Sequence, residues 1–341
     1  FAPAFEAALD QARAEIATIA DNPEPPSFAN TIEALEALGK GLDQVLAVFY
    51  TLAGADSNPK RQELQRQFAP KLAAYSSELY GNKPLFSRIE TLWAARDTLD
   101  LTPEEERLLM LTHRGFRRSG AALTGDEEAR MRAIMARLAE LGTAFTQNLL
   151  ADEAGWHMEL AEADLAGLPE FLVDAARAAG REKGLERPVI TLSRSLIVPF
   201  LQFSPRRDLR KKAYESWVSR GAMGGETDNR EVAAEILRLR AERAALLGYE
   251  SFAAYKLETE MAKTPEAVRD LLMAVWEPAK AQAERDAARL TEMMQADGIN
   301  GELEPWDWRY YAEKRRQAEH DLDETALKPY LSLESMIAAA F

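Results

Sequence analysis

The chain has 341 residues, 47% hydrophobic and 29% charged, enough to bury one large core or two and the wrong mix for a disordered or membrane-embedded protein. Its 42 basic and 56 acidic residues leave a net charge of −14, which gives no electrostatic footprint for nucleic acid or anionic lipid. Cysteine is absent, so disulfides and thiolate metal sites are excluded. No apolar run reaches the roughly eighteen residues of a membrane span. No signal peptide is visible either, because Phe1-Ala2-Pro3-Ala4-Phe5 already opens an amphipathic helix. A first residue other than Met leaves room for a longer natural N-terminus. The expectation is a cytoplasmic protein with neither nucleic-acid nor membrane partners.

Phe5, Leu9, Ala12, Ile16 and Ile19 step by four, three, four and three, which is one helical face. Pro23, Pro25 and Pro26 end that helix. Ile32, Leu35, Leu38, Leu42, Val45, Phe49 and Leu52 predict a second. Pro59 opens a third, with Leu64, Phe68, Leu72, Tyr75 and Leu79 on one side and a kink expected at Pro70. Thr102-Pro103-Glu104-Glu105-Glu106 supplies an N-cap, a proline at the first helical position and acidic residues beside the positive helix end. Met131, Ile134, Leu138, Leu141, Phe145 and Leu149 predict a long helix over 126–150. Residues 1–150 thus read as a stack of antiparallel helices.

The pattern changes in 151–220. Segments 156–160, 189–192 and 200–203 read as short strands bounded by turn formers, with a helix over 169–181. Helical periodicity returns at Ser204-Pro205 and runs through Tyr214 and Trp217, until Gly221-Ala222-Met223-Gly224-Gly225 breaks it. That loop lacks the lysine and the strand-to-helix setting of a phosphate-binding loop. In 221–341, helices are predicted over 229–247 and 265–297, the latter capped by Thr264. Pro305 opens the last, placing Trp308, Tyr311 and Arg315 at i, i+3 and i+7, with Trp306 and Tyr310 on the neighbouring stripe. The fold class is mainly α, a multi-helix body with a small β-sheet in the middle of the chain.

Candidate chemistry is sparse. A helix-borne zinc site needs two histidines one turn apart with a glutamate to activate water. His113, His157 and His320 are the only histidines, and none lies within four residues of another. Each reads as a surface histidine or a satisfied core one. There is no cysteine nucleophile and no serine in a Gly-x-Ser-x-Gly elbow. Carboxylate pairs such as Glu105 with Glu106, or Asp321 with Asp323, are what solvated faces of so acidic a chain would show. Arg206, Arg207, Arg210, Lys211 and Lys212 read as one exposed helix face, with contact to a peptide carboxylate as the lesser reading. No catalytic or metal-binding residue is assigned, and no substrate-binding residue can be named.

Several segments carry a resemblance. Glu304-Pro305-Trp306-Asp307-Trp308, Tyr310-Tyr311-Ala312-Glu313-Lys314, Asp321-Leu322-Asp323 and Leu327-Lys328-Pro329-Tyr330 look like one stretch of the thimet oligopeptidase-like zinc metallopeptidases. So do Phe28-Ala29-Asn30-Thr31-Ile32, Ala69-Pro70-Lys71-Leu72-Ala73-Ala74-Tyr75, Asn82-Lys83-Pro84-Leu85-Phe86, Leu246-Leu247-Gly248-Tyr249 and Met261-Ala262-Lys263-Thr264-Pro265-Glu266. The pattern is nearer bacterial peptidyl-dipeptidase than oligopeptidase A, with Leu331 departing from the phenylalanine the family often has. The resemblance implies a mostly helical, two-lobed enzyme whose deep channel admits short peptides. Its reaction is zinc-dependent hydrolysis of oligopeptides, with release of C-terminal dipeptides. The family's zinc ligands and catalytic glutamate belong to a region beyond Phe341. Zinc is therefore expected in the full-length parent and not on this chain, whose implied partners are short peptides and a C-terminal catalytic domain. The rival reading is a non-enzymatic helical scaffold that binds a peptide or protein. The apolar, uncapped end Met336-Ile337-Ala338-Ala339-Ala340-Phe341 favours a chain cut short.

Overall fold

Apolar residues at helical spacing wind most of the chain into helices, and the computed structural model describes residues 1–56, 58–320 and 328–341. They form two units: unit 1 comprises 1–135 with 243–250, and unit 2 comprises 136–242 with 251–341. The motif residues Asp321, Leu322, Asp323 and Leu327 lie outside the described residues.

In unit 1, α1 (Ala2–Ala20) buries Phe5, Leu9, Ala12, Ile16 and Ile19, the five residues its periodicity singles out. The predicted second helix is divided. A π-helical turn (Phe28–Glu33) and a short helix (Ala34–Glu36) come first, and α2 (Lys40–Ala55) starts only after Gly39. Gly39 sits at φ +76°, a conformation open to glycine and strained for other residues. Its N–H donates to the Glu15 carboxylate at 2.9 Å, which ties the break to α1. α3 (Pro59–Tyr80) continues through Pro70. After α4 (Lys83–Ala95), α5 (Pro103–Arg118) opens on the predicted cap, with Thr102 Oγ1 accepting the Glu105 N–H and Glu105 accepting the Thr102 N–H. α6 (Gly125–Gly155) begins here and runs on into unit 2.

Two apolar clusters hold unit 1. One gathers Phe5, Leu9, Phe49 and Phe68, with the Phe5 and Phe68 rings stacked at 3.9 Å. The other gathers Ile16, Ile32, Leu85, Ile89, Leu109 and Phe116. Buried Arg88 reaches past them to the proline-rich segment and donates to the carbonyls of Asn22 and Glu24 and to the Asn30 side chain. Those acceptors satisfy a cation that would otherwise be costly to bury.

In unit 2, β1 (His157–Glu159) pairs antiparallel with β2 (Val189–Thr191), Met158 facing Ile190, and α7 (Glu170–Glu182) joins them. Gly180 of α7 lets the returning chain close in, because a Cβ there would meet the Arg187 carbonyl oxygen at 2.2 Å. The third predicted strand is not a strand. Phe200 and Phe203 lie in α8 (Arg194–Phe203), where Leu196, Ile197, Phe200 and Leu201 recur at i, i+1, i+4 and i+5 and are buried. A run as short as Phe200-Leu201-Gln202-Phe203 cannot by itself distinguish a buried strand from the end of a buried helix. Among the described residues the remaining α-helices are α9 (Arg207–Val218), α10 (Arg230–Leu246), α11 (Phe252–Leu257), α12 (Pro265–Ala296), α13 (Pro305–His320) and α14 (Leu333–Ala340). The sheet, α7, α8 and α9 share one core built on Leu160, Leu172, Ile190, Ile197 and Phe200. The fold is mainly α with a small sheet in mid-chain, as the periodicity predicts.

Candidate functional site

The aromatic segment is built around a buried carboxylate. Pro305 starts α13 and Asp307 lies two residues on, where it accepts the Glu304 N–H at 3.2 Å and so caps its own helix. Arg207 grips both its oxygens, with Nε at 3.0 and 3.1 Å and Nη2 at 2.7 Å, and Arg210 Nη2 adds a bond at 2.9 Å. Arg210 is 1% exposed. It also donates to the carbonyls of Ser204 at 2.7 Å and Trp306 at 3.1 Å, and it lies 4.1 Å over the Tyr310 ring. Burial pushes the Asp307 carboxyl up, but the two guanidiniums outweigh burial and hold it below the usual carboxylate range. Its acceptor capacity is taken by fixed donors, so at neutral pH it is an anchor and not a proton carrier. A second tie lies further along α13, where Glu313 accepts from Gln202 at 2.8 Å and from Arg316 at 2.6 Å. Together they dock α13 against α8 and α9.

This arrangement corrects the single exposed basic face expected of α9. Arg207 and Arg210 turn inward to Asp307. Arg206 pairs with Asp164 and Asp208, and Lys211 approaches the Trp306 ring at 5.0 Å. Arg206, Lys211 and Lys212 are exposed as expected of all five, while Arg207 is half-buried and Arg210 buried. Tyr311, buried beside the Asp297 carboxylate, has its phenol pushed up to about 12, chiefly by burial.

The three histidines lie on three different elements. His113 is buried, stacked on Trp93 at 4.5 Å and an interplanar angle of 11°, with Nε2 2.8 Å from a Glu90 oxygen. Burial lowers its pKa, only partly offset by Glu90. His157 is on β1, and His320 ends α13 at a small cavity of about 270 Å³ that also borders Asp286, Trp308, Arg315 and Glu319. Among the described residues no three His, Asp or Glu side chains are grouped to hold a metal ion.

Unit 1 contains a larger cavity, about 710 Å³, between the C-terminal ends of α3 and α5 and the first half of α6. Tyr80, Ala121 and Met131 are among its apolar lining residues, and Lys83, Arg118, Arg132 and Arg243 among its charged ones. Sequence reasoning missed it, since its walls come from four separate segments whose charges each read as a solvated face.

Residues 200–340, which include the Asp307 anchor, match the family model of Peptidase family M3. Over 339 residues the chain is 35% identical to dipeptidyl carboxypeptidase of Escherichia coli (strain K12), covering 99% of this chain and 50% of that protein. Oligopeptidase A of the same organism is 29% identical over 344 residues, covering 99% of this chain and 51% of that protein. Probable cytosolic oligopeptidase A of Arabidopsis thaliana is 27% identical, again over 99% of this chain and 49% of its own length. The chain spans about half the length of these curated relatives. The resemblance seen in scattered segments therefore extends along the whole chain, and the relatives that carry it are peptidases.

Proposed function

We propose that this chain is the N-terminal half of a zinc-dependent oligopeptidase that releases C-terminal dipeptides from short peptides in the cytoplasm. The observation that carries this reading is the 35% identity to a dipeptidyl carboxypeptidase, sustained over 99% of the chain. In this reading the helices form one wall of a channel that limits substrate to short, unfolded peptides. In the same reading, metal and catalytic glutamate come from the remaining half of the protein. The chain alone is then folded and inactive. No step of the hydrolysis is assigned to its own residues.

The test compares this chain with the product of its whole natural reading frame. The longer product is expected to contain about one zinc per molecule, to release dipeptides from an N-acylated tetrapeptide, and to lose that activity on chelation. The 341-residue chain should do neither while keeping its helical circular dichroism. Zinc-dependent hydrolysis by the chain alone would overturn the reading. So would a reading frame that stops at Phe341, which would leave a peptide-binding scaffold in its place.

A further inference from the structure

We propose that the large cavity of unit 1 is a binding site for short acidic peptides, whether or not the chain is part of an active peptidase. The cavity's volume, about 710 Å³, lies in the range of sites for small organic ligands and far exceeds what a lone carboxylate or phosphate fills.

Charge points the same way. In a chain of net charge −14, the walls carry four cations, Lys83, Arg118, Arg132 and Arg243, against two carboxylates, Glu78 and Glu128. Both carboxylates are engaged, as are Lys83, which also donates to the carbonyls of Ala121 and Leu123, and Arg118, which donates to Tyr249 Oη at 3.4 Å. Glu78 accepts from Arg13 at 2.7 and 3.1 Å, and Glu128 pairs with Lys83 at 3.2 Å. Arg118 and Arg243 lie in the last turns of their helices, where the dipole favours a cation anyway. Arg132 has no such reason. It is exposed, in mid-helix on α6, at the edge of the space.

The walls also select the kind of anion. α3 and α5 both end at the cavity, so they bring the carbonyl ends of helices toward it. Such ends disfavour any anion placed on them, phosphate and carboxylate alike, but accept the N–H groups of a peptide, whose carboxylates then fall to the cations beside them. The Tyr80 ring is in edge-to-face contact with Phe116 at 5.0 Å. With Ala121 and Met131 it forms an apolar surface suited to the methylene and methyl groups of side chains. A peptide of a few residues with carboxylate side chains satisfies all three surfaces.

Isothermal titration of the whole chain tests this with three probes: Ala-Glu-Asp-Ala, Ala-Lys-Lys-Ala and inorganic phosphate. The acidic peptide should bind saturably and more weakly as salt rises, while the other two give no saturable heat. Arg132→Glu should weaken the acidic peptide by at least about tenfold, and Arg132→Lys should keep most of the affinity. Glu128→Gln, which removes a wall carboxylate, should tighten it. Lys212→Glu, in unit 2 and not a lining residue, should change nothing. Equal binding of both peptides, phosphate binding as tight as the acidic peptide, no binding at millimolar peptide, or indifference to both Arg132→Glu and Glu128→Gln would each overturn the proposal.

Discussion

His113 shows how one buried residue sets a pH dependence. The ring is 4% exposed, stacked on Trp93, and bonded to a Glu90 carboxylate that is itself half open to water. Burial disfavours the charged imidazolium, and nearby Arg117 and Arg96 add to that, while Glu90 opposes it. The folded-state pKa is thus below the unfolded one. The unfolded chain then binds the proton more readily, so the stabilisation is complete above about pH 6.5 and is lost as pH falls toward the folded pKa. Urea midpoints measured from pH 7.5 down to pH 5 should fall for the wild-type chain, and His113→Phe should flatten that limb. An unchanged slope in the variant would mean that other groups set it. Sequence reading placed His113 correctly as a satisfied core histidine or a surface one. It could not choose between them, because Glu90 and Trp93 come from a different helix.

At the scale of elements, caps and faces were legible where the signal is local. The five buried residues of α1 and the Thr102–Glu105 box follow directly from spacing and side-chain type. Two elements went the other way. The run at Phe200 belongs to the helix that starts at Arg194, and the second predicted helix breaks at Gly39 because that glycine can take a left-handed conformation. The docking of α13 was hidden for another reason: Asp307 and Arg210 are 97 residues apart in sequence. Nothing local distinguishes an arginine that will bury itself from one on a solvated face. That anchor yields a prediction about the element it holds. Asp307→Asn leaves buried Arg210 and half-buried Arg207 without a counter-charge, a change that typically costs about 3–5 kcal/mol. The urea midpoint of the variant should drop accordingly, and α13 amides should lose hydrogen-exchange protection before those of α8 do. Lys212→Gln, on the exposed side of α9, is the control and should leave both readings unchanged.

For the molecule as a whole, the described surface is uneven. Most of α12 is exposed along its first two thirds, and Leu271, Leu272, Val275 and Trp276 form a stripe at i, i+1, i+4 and i+5, each between 58% and 68% exposed. Single exposed apolar residues are ordinary, but a stripe of four that includes a tryptophan is the kind of surface on which association is expected. Periodicity alone reveals such a stripe and cannot say that it faces water, because the same spacing marks a face packed on a core. The boundary between units is equally silent in the sequence, since two of its three crossings fall inside helices α6 and α10, between Met135 and Ala136 and between Glu242 and Arg243, and the third lies between Glu250 and Ser251. The stripe has a measurable consequence for the chain in isolation. Sedimentation velocity should show association that grows with concentration, and the double variant Leu272→Glu, Trp276→Glu should reduce it at unchanged helical circular dichroism. Both positions are exposed, so the substitutions should cost little stability, on the order of 0.5 kcal/mol or less each. A wild-type chain that stays monomeric across the concentration range would show that the stripe is tolerated in water, and the surface argument would then fail.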